Sequence, residues 1–151
     1  MIGTETLNLT QINYIIHIKI DMSNKEIVVK AMKEFFVDRD HNAIEKYWQE
    51  NYIQHNPGMI DGHPGLRDIL KNSIDSGFKW EPGIFVESGD LVIAHSEVHG
   101  WGPNPLIVVD IFRFEDGKIA EHWDVVQEEV PASKTASGNS MTSFNRKGSD
   151  K

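Results

Sequence analysis

A chain of 151 residues with 39% hydrophobic content is long enough for one domain with its own core. A formal net charge of −8 argues against nucleic acid or an anionic membrane as partner, since both are bound through clustered Lys and Arg. Cysteine is absent, which excludes disulfides, a thiolate nucleophile and a zinc site built on sulfur.

No apolar run approaches the ~20 residues of a membrane helix, and the N-terminus lacks the pattern of a secretory signal. A cytoplasmic protein is the expectation. Between residues 12 and 20, isoleucine and tyrosine recur at every second position, an edge-strand pattern. Ser23 and Glu26, however, have the spacing of a capping box, which suits the start of a domain. The chain is therefore read as an N-terminal extension (1–21), a domain (22–131) and a flexible tail (132–151). In that tail, Met141 and Phe144 are the anchors available to close over a pocket or a neighbouring subunit.

Ile27, Val28, Ala31, Met32 and Phe35 have helical spacing, so residues 24–37 are an amphipathic helix. Asp40 is placed to cap a second, short helix through Ala43, Ile44, Tyr47 and Trp48. Residues 51–57 leave that helix and turn at Asn56-Pro57. A third helix is expected to start near His63-Pro64 and to run through Leu66, Ile69 and Leu70. After Gly77 the pattern becomes all strand, over 79–86, 91–99 and the pair of runs within 106–127. Helices first and an antiparallel meander afterwards is an α+β architecture.

The two runs within 106–127 meet at Glu115-Asp116-Gly117-Lys118, a hairpin junction. A three-residue loop pairs Phe114 with Lys118, which sets Asp110 opposite His122 and Val108 opposite Asp124. Leu106, Val108, Asp110, Phe112, Ala120, His122, Asp124 and Val126 then share one face. Ile107, Val109, Ile111, Arg113, Ile119, Glu121, Trp123 and Val125 share the other. A two-residue Asp116-Gly117 turn would instead set Asp110 beside Trp123.

Two acids and a histidine among apolar neighbours on one sheet face need an explanation, because acids are seldom buried without a partner or a role. Asp110 is either a functional carboxylate or half of a structural ion pair with His122. His122 either orients Asp110, acts as its acid partner or donates to an oxyanion, or it is a satisfied core histidine. Asp124 either shares the site or faces solvent at a strand end. His95, Glu97 and His99 alternate onto one face of their strand. They join the pocket if that face is concave and are simply hydrated if Val92, Ala94, Ser96 and Val98 line the interior instead. His55, before Asn56-Pro57, could reach the rim of a pocket. Histidines and acids converging from several strands can ligate a metal, but no tight metal-binding signature is present, and no metal is expected.

Several stretches together resemble the SnoaL-like branch of the nuclear-transport-factor-2-like superfamily. They are Tyr52-Ile53-Gln54-His55-Asn56-Pro57, Gly89-Asp90-Leu91-Val92, the run from Asp110 to Ile119, and Glu121-His122-Trp123-Asp124. The resemblance implies a cone: a strongly curved, mostly antiparallel sheet on three helices, enclosing a pocket. Polyketide cyclases of this type close a ring by aldol condensation without a cofactor, using a pocket acid that matches Asp110. A histidine on the preceding strand matches His99. The connection from Gly100 to Pro105 is shorter than the loop expected of those cyclases, which leaves the substrate open.

The expected catalytic set is thus Asp110, His122 and His99, with His55, His95, Asp124, Phe112 and Tyr52 binding substrate. An aldol closure needs a base for a proton next to a carbonyl and donors for the enolate oxygen. A carboxylate among apolar neighbours, such as Asp110 between Val108 and Phe112, can be that base. Dehydration or epoxide opening in the same pocket is an alternative, and a non-catalytic ligand- or partner-binding module is another. An enclosed cavity with Asp110 and His122 in hydrogen-bonding reach would favour catalysis; a filled one would favour the binding module. Trp123, Ile107, Val109 and Ile111 make the opposite sheet face apolar too, so homodimerisation through the convex side is expected.

Overall fold

The computed structural model describes residues 22–142. The expected extension over 1–21 and Phe144 lie outside the described residues. Ser23 caps α1 (Asn24–Met32) as its spacing predicts: its hydroxyl accepts from the Glu26 N–H at 3.2 Å, and the Glu26 carboxylate accepts from the Ser23 N–H at 2.8 Å. The helix continues as a π-helical turn over Lys33–Val37, whose consecutive Phe35 and Phe36 are both buried. Asp40 acts just before α2 (Ala43–Tyr47), its carboxylate accepting from the Asn42 N–H at 2.9 Å. Trp48, expected to close that helix, opens β1 (Trp48–Gln54) instead.

That strand is absent from the sequence-based expectation. Its middle is polar and exposed, as suits an edge strand with one neighbour, and so lacks the apolar alternation of a half-buried strand. Next comes α3 (Gly62–Asp75), which begins two residues before Pro64. Gly65 lets it pass close to the preceding loop, since a Cβ there would lie 1.8 Å from the Ile60 carbonyl oxygen.

The remaining strands follow the expected meander: β2 (Lys79–Ser88), β3 (Leu91–His99), β4 (Leu106–Glu115) and β5 (Lys118–Glu128). The sheet order is β1-β5-β4-β3-β2, with only the β1–β5 pair parallel. Its concave side packs on the helices in one core, where Phe35, Ile44 and Leu70 meet Val92, Phe112 and Ile119. The α+β cone is therefore the fold of the chain. No helix among the described residues is long and apolar enough to cross a membrane.

The β4–β5 register corrects the expected one. Glu115 pairs with Lys118 across a two-residue turn, with Asp116 at φ 49° and Gly117 at φ 74°. That is the left-handed pair that fits the twist of a tight hairpin. Such a turn alone would put Asp110 and Trp123 opposite each other. The ladder instead skips Ala120: Phe114 pairs with Ile119, and Arg113 with Glu121. This bulge adds one residue to β5 and returns the alternation to the predicted phase. Asp110 now faces Asp124, and Phe112 faces His122. The faces beyond the bulge are as expected, while the partners move by one pair. Before the bulge the prediction fails: Ile119, assigned to the convex face, is fully buried in the core.

After β5 the chain is not featureless. One 3-10 turn spans Ala132–Lys134, the Met141 sulfur accepts from the Val130 N–H, and the Thr142 hydroxyl donates to Glu97 at 2.7 Å. Glu97 is on the outer face of β3, so this segment lies against the convex side rather than over the pocket.

Candidate active site

The concave side encloses a pocket of about 690 Å³, measured with its mouth. Most of its wall is apolar or aromatic, including Phe36, Leu66, Trp80, Trp101, Val108 and Phe112. The polar groups are contributed by three strands. β4 supplies Asp110, β5 supplies His122 and Asp124, and β1 with its extension supplies Tyr52, Gln54 and Asn56.

Asp110 and His122 are each only 7% exposed, and His122 Nε2 lies 3.0 Å from Asp110 Oδ1. Because His122 sits opposite Phe112, this contact is the diagonal one, two residues along the neighbouring strand. The other ring nitrogen, Nδ1, lies 2.9 Å from Gln54 Oε1. That oxygen also accepts from the Asn56 N–H at 2.9 Å, which fixes the orientation of the amide. An amide oxygen only accepts, so Nδ1 carries a hydrogen. One proton is then left on the line between Nε2 and Oδ1: the pair is either imidazolium with carboxylate or imidazole with carboxylic acid. Such a pair can give a proton to a ligand or take one from it.

Asp124 stands directly across from Asp110. Its two oxygens accept from Asn56 Nδ2 at 2.8 and 2.7 Å. Asn56 in turn accepts from the Gly58 N–H at 2.8 Å, tying the acid to the loop before α3. The Tyr52 phenol accepts from Gln54 Nε2 at 3.0 Å. Burial, then the negative charges of Asp110 and Asp124, push its ionisation well above the ordinary phenol range. The phenol therefore keeps its proton and remains a donor. Asp110, His122 and Asp124 each present an atom within 4.8 Å of the others, a set that could hold a divalent cation if the Asp110–His122 bond opened.

The predicted residues divide by face. Asp110, His122, Asp124, Phe112 and Tyr52 come together in the pocket. His95 and His99 do not, because Val92, Ala94, Ser96 and Val98 take the interior side of β3. The concave placement of His95, Glu97 and His99 is thus corrected. His99 Nε2 instead lies 3.0 Å from Glu97 Oε1 on the convex side, without hydrogen-bond geometry. His55 also points outward. Its ring stacks on Trp123 with centroids 4.8 Å apart, and Nε2 meets Glu121 Oε1 at 2.7 Å. Hydrogen bonds from His55 and Arg113 hold the Glu121 carboxyl below its ordinary range.

Sequence reasoning missed Gln54 and Asn56. The signal was the spacing Tyr52-x-Gln54-x-Asn56. Read as an extended segment, it sends these three residues inward and Ile53 and His55 outward.

Comparison with known proteins agrees with this architecture. Among solved structures, TsrD from Streptomyces laurentii is 20% identical, with a TM-score of 0.61 over 71% of this chain and 90% of that one. A protein described as a polyketide cyclase from Bacillus cereus ATCC 10987 is 24% identical, with a TM-score of 0.56 over 68% of this chain and 75% of its own. SalBIII, an epoxide hydrolase/cyclase-like enzyme, is 20% identical, with a TM-score of 0.57 over 69% and 90% of the two chains. At these identities the likeness shows the fold. No curated protein matches the chain. The model of the SnoaL-like domain matches residues 29–122, more than half of the sequence and nearly all of the cone, and the chain belongs to that family.

Proposed function

We propose that this protein is a cofactor-independent acid–base enzyme acting on a small, largely apolar carbonyl compound, by aldol cyclisation or a related isomerisation. The carrying observation is the Asp110–His122 pair, buried and hydrogen-bonded inside an otherwise apolar pocket. Asp110 takes the proton from the carbon next to the carbonyl. As the base Asp110 is the carboxylate, and in that state His122 is the imidazolium, oriented by Gln54. Tyr52 donates to the enolate oxygen, and Asp110 returns the proton to the oxygen of the carbonyl that the enolate carbon attacks. That the pocket is not filled by side chains and has both groups in reach of each other supports an enzyme over a partner-binding module. The test is Asp110→Asn with small cyclic ketones and polyketide-like aromatics as substrates. Turnover should fall to background while the circular dichroism spectrum and melting temperature stay close to wild type. Wild-type-like turnover would remove Asp110 from the mechanism.

A second reading, epoxide opening, is favoured by Asp124, a second acid facing the same space and clamped by Asn56. One acid would then activate water while the other protonates the leaving oxygen. Conversion of an epoxide but of no ketone would select it. For assembly we infer a homodimer through the convex face, supported by Ile84, Val86, Ile93 and Val125, which are exposed there.

A further inference from the structure

The pocket has an unbalanced charge. Among the described residues lining it there is no Lys or Arg, and the cationic form of His122 can neutralise only one of two carboxylates. His122 is committed to Asp110. Asp124 has the neutral amide of Asn56 as its hydrogen-bond partner and no ion pair among the described residues. Wherever the shared proton lies, the Asp110–His122 pair is neutral as a whole, so Asp124 leaves one net negative charge beside it in a pocket walled by aromatic rings, which raises the cost of admitting any anion. The same arrangement favours a cation. A carboxylate that keeps free lone pairs forms its strongest hydrogen bonds with a charged donor, and aromatic walls accept the attached carbon skeleton and attract ammonium groups.

We propose that the substrate carries a protonated amine that pairs with Asp124, so that the pocket takes apolar amino-carbonyl compounds and rejects anionic ones. This rests on the reading of the pocket as a substrate site. With the reacting carbon at Asp110, the ammonium nitrogen lies only a few bonds away. Asp124 then selects the substrate and positions it, while Asp110 and His122 do the proton transfer. Asn56 holds the Asp124 carboxylate facing the ligand.

Calorimetric titration with three compounds of one shape tests this: 3-phenylpropylamine, 3-phenylpropan-1-ol and 3-phenylpropionate, near neutral pH where the amine is charged. The amine should bind about tenfold or more tightly than the alcohol, the scale of one charge-assisted hydrogen bond, and the carboxylate should not bind. In Asp124→Asn the amine should fall to the affinity of the alcohol, whose own affinity stays the same. Alcohol or carboxylate binding as tightly as the amine in the wild type would overturn the proposal, as would an amine that does not bind. Retention of the preference in Asp124→Asn would overturn the role of that residue. The wild-type order decides the matter alone if the variant does not fold. Asp110→Asn separates the two readings: it should lose turnover and keep the amine preference, so either result can fail without the other.

Discussion

A hydrogen bond to the far side of a histidine decides what its near side can do. Gln54 accepts from Nδ1 of His122, and that single contact places the mobile proton between His122 and Asp110. Gln54 was not legible as a site residue because a glutamine beside a turn has many bland explanations. Its meaning depends on an alternation visible only once residues 48–54 are known to be a strand. His99 and His95 failed for the converse reason. The alternation of β3 was plain, but both of its faces carry residues that could be interior, and only packing against the helices chooses between them.

Tyr52 provides a prediction at this scale. Its ionisation in the folded protein is raised, so it adds no pH dependence below the ordinary phenol value of about 10. Above that value the unfolded phenol loses its proton while the buried one keeps it. The unfolded state then binds fewer protons, and stability falls as pH rises. Urea midpoints measured at about pH 9 and 11 should therefore drop more in wild type than in Tyr52→Phe. Parallel curves would show that burial of this phenol does not set the alkaline limit.

At the scale of the element, the β4–β5 hairpin shows how a local signal and a global one can each be half right. The Asp-Gly pair specifies a two-residue turn by its left-handed backbone, and the apolar alternation specifies which residues face the core. The two conflict in a regular ladder, and the bulge at Ala120 reconciles them. Nothing in an alanine announces a bulge, so the faces could be read and the pairs could not. The helices were legible for the opposite reason, since the Ser23–Glu26 box and the apolar spacing of α1 are local properties. Two glycines separate steric from conformational cost. Gly65→Ala drives a methyl into the Ile60 carbonyl and should destabilise by about 3 kcal/mol or more. Gly117→Ala has open space around it but a left-handed backbone, at a cost of about 1–2 kcal/mol. Chemical denaturation should rank them in that order, and equal losses would mean that the loop before α3 yields to the methyl.

For the whole molecule, the outer surface of the sheet is the unresolved apolar area. Ile84 is 57% exposed and Val125 is 67% exposed, on strands at opposite sides of β3 and β4. If a second copy covers this face, Val125→Lys should convert a dimer to a monomer in sedimentation velocity runs while leaving turnover unchanged. A wild type that sediments as a monomer at tens of micromolar would refute the dimer.

The rims of the same sheet lead to a different expectation. The two outermost strands among the described residues, β1 and β2, both break regular pairing, between Trp48 and Ile53 and between Pro82 and Ile84. A neighbouring chain looking for a straight ladder of free N–H and C=O groups finds it interrupted on either side. These irregular edges oppose growth of the sheet into a fibril at the places where it would begin. Concentrated or partly unfolded material should clump, if at all, without acquiring the cross-β diffraction and dye response of amyloid.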